Sequence, residues 1–200
     1  MELRFPSPAD LVALADLAAE GIHDPELMPF YVPWTDVEPA ERARSVLQWH
    51  WRSWGSWTPE SWNLDLAVVE DGVVVGQQGF STENFPVLRE GETGSWLGRR
   101  YQGRGIGTEM RSAMVHLVFA GLGAESVTSG AFEDNPASLA VSRKIGYVED
   151  GITRRVRRDQ PAVLRRLRLS RAAWEARRRS DIEIVGLGEC LSLFGIAAPD

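Results

Sequence analysis

One cysteine, Cys190, and one lysine, Lys144, are all that this 200-residue chain has of either type. A lone thiol excludes an internal disulfide and a zinc cluster built on cysteines. A lone lysine at 144 leaves no Gly-Lys-Ser/Thr sequence, and with it goes the Walker A phosphate loop. No uncharged apolar run reaches the length of about 18 residues that a membrane helix needs. The opening Met1-Glu-Leu-Arg-Phe5 lacks the basic-then-apolar order of a secretory signal. These absences, with 44% hydrophobic residues, predict one cytoplasmic domain with a full core, no metal and no membrane partner.

What is present is unevenly spread. Residues 154–179 hold 11 arginines against Asp159 and Glu175, whereas residues 180–200 hold four acids and no base. A basic block of this size raises the question of nucleic acid. Its arginines alternate with Val156, Leu164, Leu167 and Leu169, the pattern of a strand with one solvated face. The acidic remainder of a chain with net charge −6 also repels a phosphate backbone. No nucleic-acid partner is expected.

Along the chain, residues 2–5 read as a strand. Ser7-Pro-Ala-Asp10 opens a helix with Ser7 as its cap, and Leu11, Leu14 and Leu17 face a core. Residues 21–36 form a loop with three prolines. A second helix covers 38–56, with Trp51 and Trp54 expected in the core. Strands follow at Leu64–Glu70 and Val73–Phe80, joined by the hairpin signal Asp71-Gly72, and then at Glu90–Leu97. The helix after residue 105 buries Ile106, Met110 and Met114 and leaves Thr108, Ser112 and His116 on its polar side. Glu125–Phe132 is a strand, Asn135–Lys144 a short helix, and 147–169 a final hairpin.

The densest signal is Gln102-Gly-Arg-Gly-Ile-Gly-Thr108. Glycines at 103, 105 and 107 precede a helix, so inward-turned N–H groups and the positive helix end converge on one anion site. A dinucleotide fingerprint starting at Gly103 needs glycine at 108, which is threonine. The loop matches Q-x-x-G-x-G instead. Two further blocks lie in order around it: Glu92-Thr-Gly-Ser-Trp-Leu97 before, and Asn135-Pro-Ala-Ser-Leu-Ala-Val-Ser-Arg-Lys-Ile-Gly-Tyr147 after.

Together the three blocks resemble the GCN5-related N-acetyltransferases (GNAT), in particular the RimJ/RimL-like branch. The resemblance covers about residues 60–155 as a coenzyme A-binding core within a single domain of residues 1–200. It implies an α/β fold with a mixed, mostly antiparallel sheet of about seven strands, splayed between 90–97 and 125–132 and flanked by helices. Acyl-CoA enters that splay. Pantetheine pairs with backbone near Leu97, and pyrophosphate sits on Gly103, Arg104, Gly105, Ile106, Gly107 and Thr108 behind Gln102. Arg99 and Arg104 add charge, and Asn135 and Ser138 hold the neighbouring part of the donor.

Acyl transfer to an amine needs a group that takes a proton, donors for a developing oxyanion, and a proton for the thiolate. The branch puts a glutamate in the cleft at Glu92, which serves as base directly or through water; the alternative is an ordinary strand carboxylate. Many members carry a tyrosine four residues before the glycine at 146. Here that position is Ser142, a weaker acid, so Ser142 or water protonates the thiolate, while Tyr147 packs in the core.

Six tryptophans fall between 34 and 62, where the family builds its acceptor wall. Phe30, Tyr31, Trp34, Trp49 and Trp57 are the expected acceptor-pocket residues; the three histidines are read as incidental. The tail 181–200 is apolar and is expected to pack on the domain or on a second subunit. The resulting expectation is transfer from acetyl-CoA to an amine-bearing acceptor: a protein N-terminus, a lysine or a small amine. Succinyl-CoA as donor and a non-catalytic CoA-binding module are the alternatives.

Overall fold

Ser7 starts the first helix as its sequence requires. In the computed structural model, which describes residues 1–197, its hydroxyl accepts the Asp10 N–H at 3.2 Å, and the Asp10 carboxylate accepts the Ser7 N–H at 3.0 Å. This reciprocal cap satisfies two donors that the first turn leaves unpaired. The Arg4 guanidinium sits 2.7 Å from Asp10. Strand β1 (Glu2–Arg4) thus leads into α1 (Pro8–Glu20), followed by α2 (Pro39–Gly55).

Then come β2 (Ser61–Glu70), β3 (Val73–Glu83), the one-turn α3 (Phe85–Leu88) and β4 (Glu90–Leu97). The rest is α4 (Ile106–His116), β5 (Ser126–Phe132), α5 (Pro136–Ile145), β6 (Val148–Arg157), β7 (Gln160–Ser170) and α6 (Arg171–Glu175). Asp71 and Gly72 both adopt positive φ, 51° and 79°, the backbone of a two-residue hairpin turn.

The seven strands form one mixed sheet in the order β1-β2-β3-β4-β5-β7-β6. Every neighbouring pair is antiparallel except β4 and β5. That parallel pair joins only Glu90, Gly91 and Glu92 to Ser126, Val127 and Thr128. Beyond it the strands part, leaving Thr93–Leu97 without a strand partner on that side. The Thr93 hydroxyl, bonded to the Thr128 carbonyl at 3.2 Å, marks the fork. The expected splayed, seven-stranded α/β sheet is therefore present.

Three positions differ in burial from the sequence expectation. Helix α2 turns Val46, His50 and Ser53 inward, while Trp51 is 57% exposed. Trp54 is half-buried, stacked on Phe5. The inner side of α2 sets Val46 against Leu14, Ala18 and Ala67 and His50 against Gln77, so the tryptophan spacing alone picks the wrong face. His116 is buried against Trp174, with ring centroids 5.8 Å apart. This covering indole comes from α6, about 58 residues on, which helix periodicity does not see.

The segment after α6 returns to the domain. Leu191 and Phe194 are buried, and Phe194 meets the Trp62 ring edge-on at 4.9 Å. Trp57 donates its indole N–H to the Leu193 carbonyl at 2.7 Å. Burial of a phenylalanine this complete contributes about 2–3 kcal/mol. The last three residues of the predicted tail, 198–200, lie outside the described residues.

Candidate active site

Side chains on successive strands line up in rows across β2, β3 and β4. The register places Asn63, Ser81 and Glu92 in one row, Asp65, Gly79 and Gly94 in the next, and Ala67, Gln77 and Trp96 in a third. Side chains alternate faces along a strand, so all three rows share one face. Two glycines in the middle row leave a depression there, roofed by Phe30, Tyr31, Trp34, Val46 and Trp49. The resulting cavity holds about 480 Å³.

A second hollow of about 1020 Å³ runs along the fork between β4 and β5 and past residues 102–108 to α5. The two hollows share Phe30, Tyr31, Ser81, Glu92, Gly94, Ser95 and Trp96. Glu92 stands where they meet.

Tyr31 donates to Glu92 Oε1 at 2.8 Å. Its loop is fastened from the far end of the sheet. Arg158 pairs with Asp36 at 2.5 Å and donates to the Pro25 carbonyl at 2.8 Å, and Arg157 donates to the Met28 carbonyl at 3.2 Å. Burial, and then the Glu92 carboxylate, push the Tyr31 phenol well above its ordinary value, so it remains a donor. The arginine-rich hairpin therefore orders the loop and pairs with acids.

The glycine loop has the backbone its composition predicts. Gly103 and Gly105 adopt φ of 73° and 87°, with open space where a Cβ would lie. Gly105 is the cap of α4. Leu97, Arg99, Gln102, Gly103, Gly105, Gly107, Thr108, Asn135 and Ser138 all line the larger hollow. Gln102 gives its amide protons to the carbonyls of Ile22 (2.6 Å) and Leu97 (2.9 Å), which fixes the loop to the end of β4. Asn135 Oδ1 accepts the Ser138 N–H at 3.1 Å, capping α5.

Four expected site residues sit elsewhere. Arg104 turns away to Glu70, the last residue of β2, at 3.1 Å. The Ile106 side chain is buried with Val68, Val75, Leu97 and Met110, leaving only its backbone near the loop. Ser142 is fully buried and gives its proton to the Ser138 carbonyl at 3.1 Å; it is not on the wall of either hollow. Trp57 stacks on Trp62 and holds the C-terminal segment, away from the aromatic cavity. Tyr147 is in the core, its hydroxyl 3.2 Å from that of Thr93, and burial pushes it up to about 12.

The structure adds residues the sequence did not single out. Arg111, on the inner side of α4, is 5% exposed. It donates to the hydroxyls of Ser142 and Ser95, each at 3.0 Å. Its Nε has no partner, and no carboxylate pairs with it among the described residues. Burial pulls its pKa down.

In the cavity floor, Asp65 accepts from Trp49 Nε1 at 2.7 Å and from Gln77 Nε2 at 2.8 Å. Gln77 Oε1 lies 3.1 Å from His50 Nε2. Burial raises the Asp65 carboxyl and lowers the His50 imidazole, so the histidine stays neutral at pH 7. No group of three metal-ligating side chains occurs among the described residues, and no helix there is long and apolar enough to cross a membrane.

Comparison with known proteins yields one family match and a set of structural likenesses. The family model described as an acetyltransferase (GNAT) domain matches residues 1–148. A crystal structure of a probable acetyltransferase is 22% identical, with a TM-score of 0.66, covering 86% of this chain and 93% of the other. A variant of the spermidine N-acetyltransferase SpeG from Vibrio cholerae is 15% identical, with a TM-score of 0.69 and coverage of 90% and 100%. The ribosomal L7/L12 alpha-N-protein acetyltransferase RimL, in complex with coenzyme A, is 17% identical, with a TM-score of 0.67 and coverage of 84% and 92%. At these identities the likenesses establish the shared fold.

Proposed function

The chain belongs to the acetyltransferase (GNAT) domain family, and from that premise we propose that it moves an acyl group from acyl-CoA to a primary amine by direct attack. The observation that carries this reading is Glu92 at the junction of a glycine-lined cleft and an aromatic cavity. The cleft suits the donor and the cavity suits the acceptor. Acyl-CoA supplies an activated thioester.

The residues fit such a donor. Gly103 and Gly105 leave open space and free N–H groups at the start of α4, a cradle for pyrophosphate. Arg99, on the wall of the same hollow and 3.7 Å from Asp24, adds positive charge. The unpaired edge of Thr93–Leu97 offers backbone groups to an extended pantetheine arm, as a strand edge does to a peptide. Asn135 and Ser138 border the same hollow.

In this reading Glu92 takes the proton of the incoming ammonium, directly or through water, and Tyr31 holds its carboxylate in place. A backbone N–H near Leu97 steadies the charge that develops on the carbonyl oxygen. With the Ser142 proton committed to Ser138, water protonates the departing thiolate. No enzyme-bound acyl group is needed, in keeping with a sole cysteine in the C-terminal segment.

The whole of residues 1–200 acts as one domain of the RimJ/RimL-like kind, and the chain works in the cytoplasm. Acetyl-CoA is the default donor and succinyl-CoA the competitor. Steady-state turnover with both thioesters across protein N-termini, lysine peptides and small amines tests the proposal. Release of free coenzyme A dependent on one amine class supports it; inactivity with every donor and amine overturns it in favour of a CoA-binding module.

A further inference from the structure

Asp65 is the least explained charged group in the molecule. It is 8% exposed, lies in the floor of the aromatic cavity, and forms no ion pair among the described residues. Each of its oxygens accepts one hydrogen bond, from Trp49 and from Gln77, which leaves acceptor capacity on both. The nearest histidine, His50, reaches it only through Gln77 and is kept neutral by burial. A buried carboxylate without a counter-cation costs stability, which is why burial raises the Asp65 carboxyl. A cation seated beside it restores the ionised form, and such groups concentrate where a ligand is to be held.

The surroundings specify what kind of ligand. Gly79 stands beside Asp65 in its row, and a Cβ there would run into Asp65 Oδ1. A Cβ at Gly94, next along, would meet nothing within 4 Å, so the space above the row is open. Trp34, Trp49 and Trp96 wall that space. Indole rings and one carboxylate are the groups that bind an organic ammonium. Glu92 lies two strands across and two residues along from Asp65 on the same face, about 12 Å away between Cα atoms at sheet spacings. One cavity therefore carries two separated carboxylates.

We propose that Asp65 forms a second cation subsite, so that the acceptor is a small molecule with two positively charged nitrogens. One is held by Asp65 among the tryptophans while the other is presented at Glu92. This rests on the acyltransferase reading above and narrows its acceptor from any amine to a short diamine or polyamine. A single-charge amine reaches Glu92 without occupying Asp65.

The test compares 1,4-diaminobutane with butylamine in wild-type protein and in Asp65→Asn, using whichever thioester turns over. The diamine is expected to be preferred in kcat/KM by about tenfold or more, the effect of one charge-assisted hydrogen bond. Asp65→Asn should erase that preference, the KM for the diamine rising to that for butylamine. Equal kcat/KM for the two amines in the wild type, or an equal loss of both in the variant, overturns the proposal. If Asp65→Asn does not fold, Trp49→Leu, at a 45% exposed position, replaces it. It should lower the diamine-to-monoamine ratio several-fold, and an unchanged ratio counts against the subsite. Quenching of tryptophan fluorescence by each amine, with coenzyme A present, measures binding without turnover. Diamine-selective quenching lost in the variant supports the subsite even if no acyl transfer is found, and unselective quenching overturns it.

Discussion

Tyr31 and Glu92, 61 residues apart in sequence, are joined by a 2.8 Å hydrogen bond in which the phenol donates to the carboxylate. Gly130 on β5 makes room for that phenol, since a Cβ there would collide with its hydroxyl. Glu92→Gln is expected to lower kcat by about 10²–10⁴, the range for loss of a general base. Coenzyme A affinity should stay within threefold, because the loop is untouched. Tyr31→Phe removes one charge-assisted hydrogen bond, a loss of about tenfold in kcat/KM. Steady-state kinetics and calorimetric CoA titration check both.

Gly105 caps α4 with φ of 87°. Its missing Cβ would meet no atom within 4 Å, so Gly105→Ala is penalised by backbone conformation alone, about 1–2 kcal/mol. A relaxed backbone turns its N–H away from the cleft. The measurable outcome is a lower Tm together with weaker coenzyme A binding, whereas Gly55→Ala on α2, with equally open space, leaves CoA binding unchanged.

Arg111 gives a prediction in which stability and activity part. The buried guanidinium is satisfied only by two serine hydroxyls. Replacing an incompletely compensated buried charge with an apolar side chain of similar length is neutral or stabilising, by about 1–4 kcal/mol. Arg111→Met is thus expected to hold or raise Tm while kcat/KM falls by about tenfold, since Ser95 loses its anchor on the cleft wall. Thermal unfolding and turnover on the same sample decide it.

Acid should act through Asp10. Hydrogen bonding from Arg4, with help from Ser7, holds its carboxyl at about 2, below the ordinary 3.8. A folded-state pKa below the unfolded one means stabilisation that is complete above about pH 4 and lost as pH falls toward 2. Asp10→Ala should cost about 1–2 kcal/mol at neutral pH and almost nothing at pH 2. Urea melts at the two pH values provide the comparison.

Local rules account for what could be read ahead of the structure. Ser7 and Asp10 cap α1, Asp71-Gly72 turns a hairpin, and Gly103 and Gly105 take positive φ because neighbouring residues alone decide those features. Glu92 came from its family block. What escaped was set by partners far away in sequence. His50 is buried because Gln77 meets it, Trp57 is drawn to Leu193, and Arg111 is inside because Ser95 and Ser142 face it. Asp65 looks like any strand carboxylate until Gly79 and Gly94 empty the row beside it. Helix periodicity gives a face but not its neighbour, and polar cores are where that gap shows.

The three-pair junction of β4 and β5 makes the sheet two antiparallel plates sharing a narrow seam. Past that seam each plate has a raw strand edge, and the two edges face one another inside the molecule. Raw edges ordinarily invite a foreign strand. Here the fork closes at the Thr93–Thr128 contact, and the larger hollow runs along the parted edges. The edges that most sheets carry at their rim are here turned on each other.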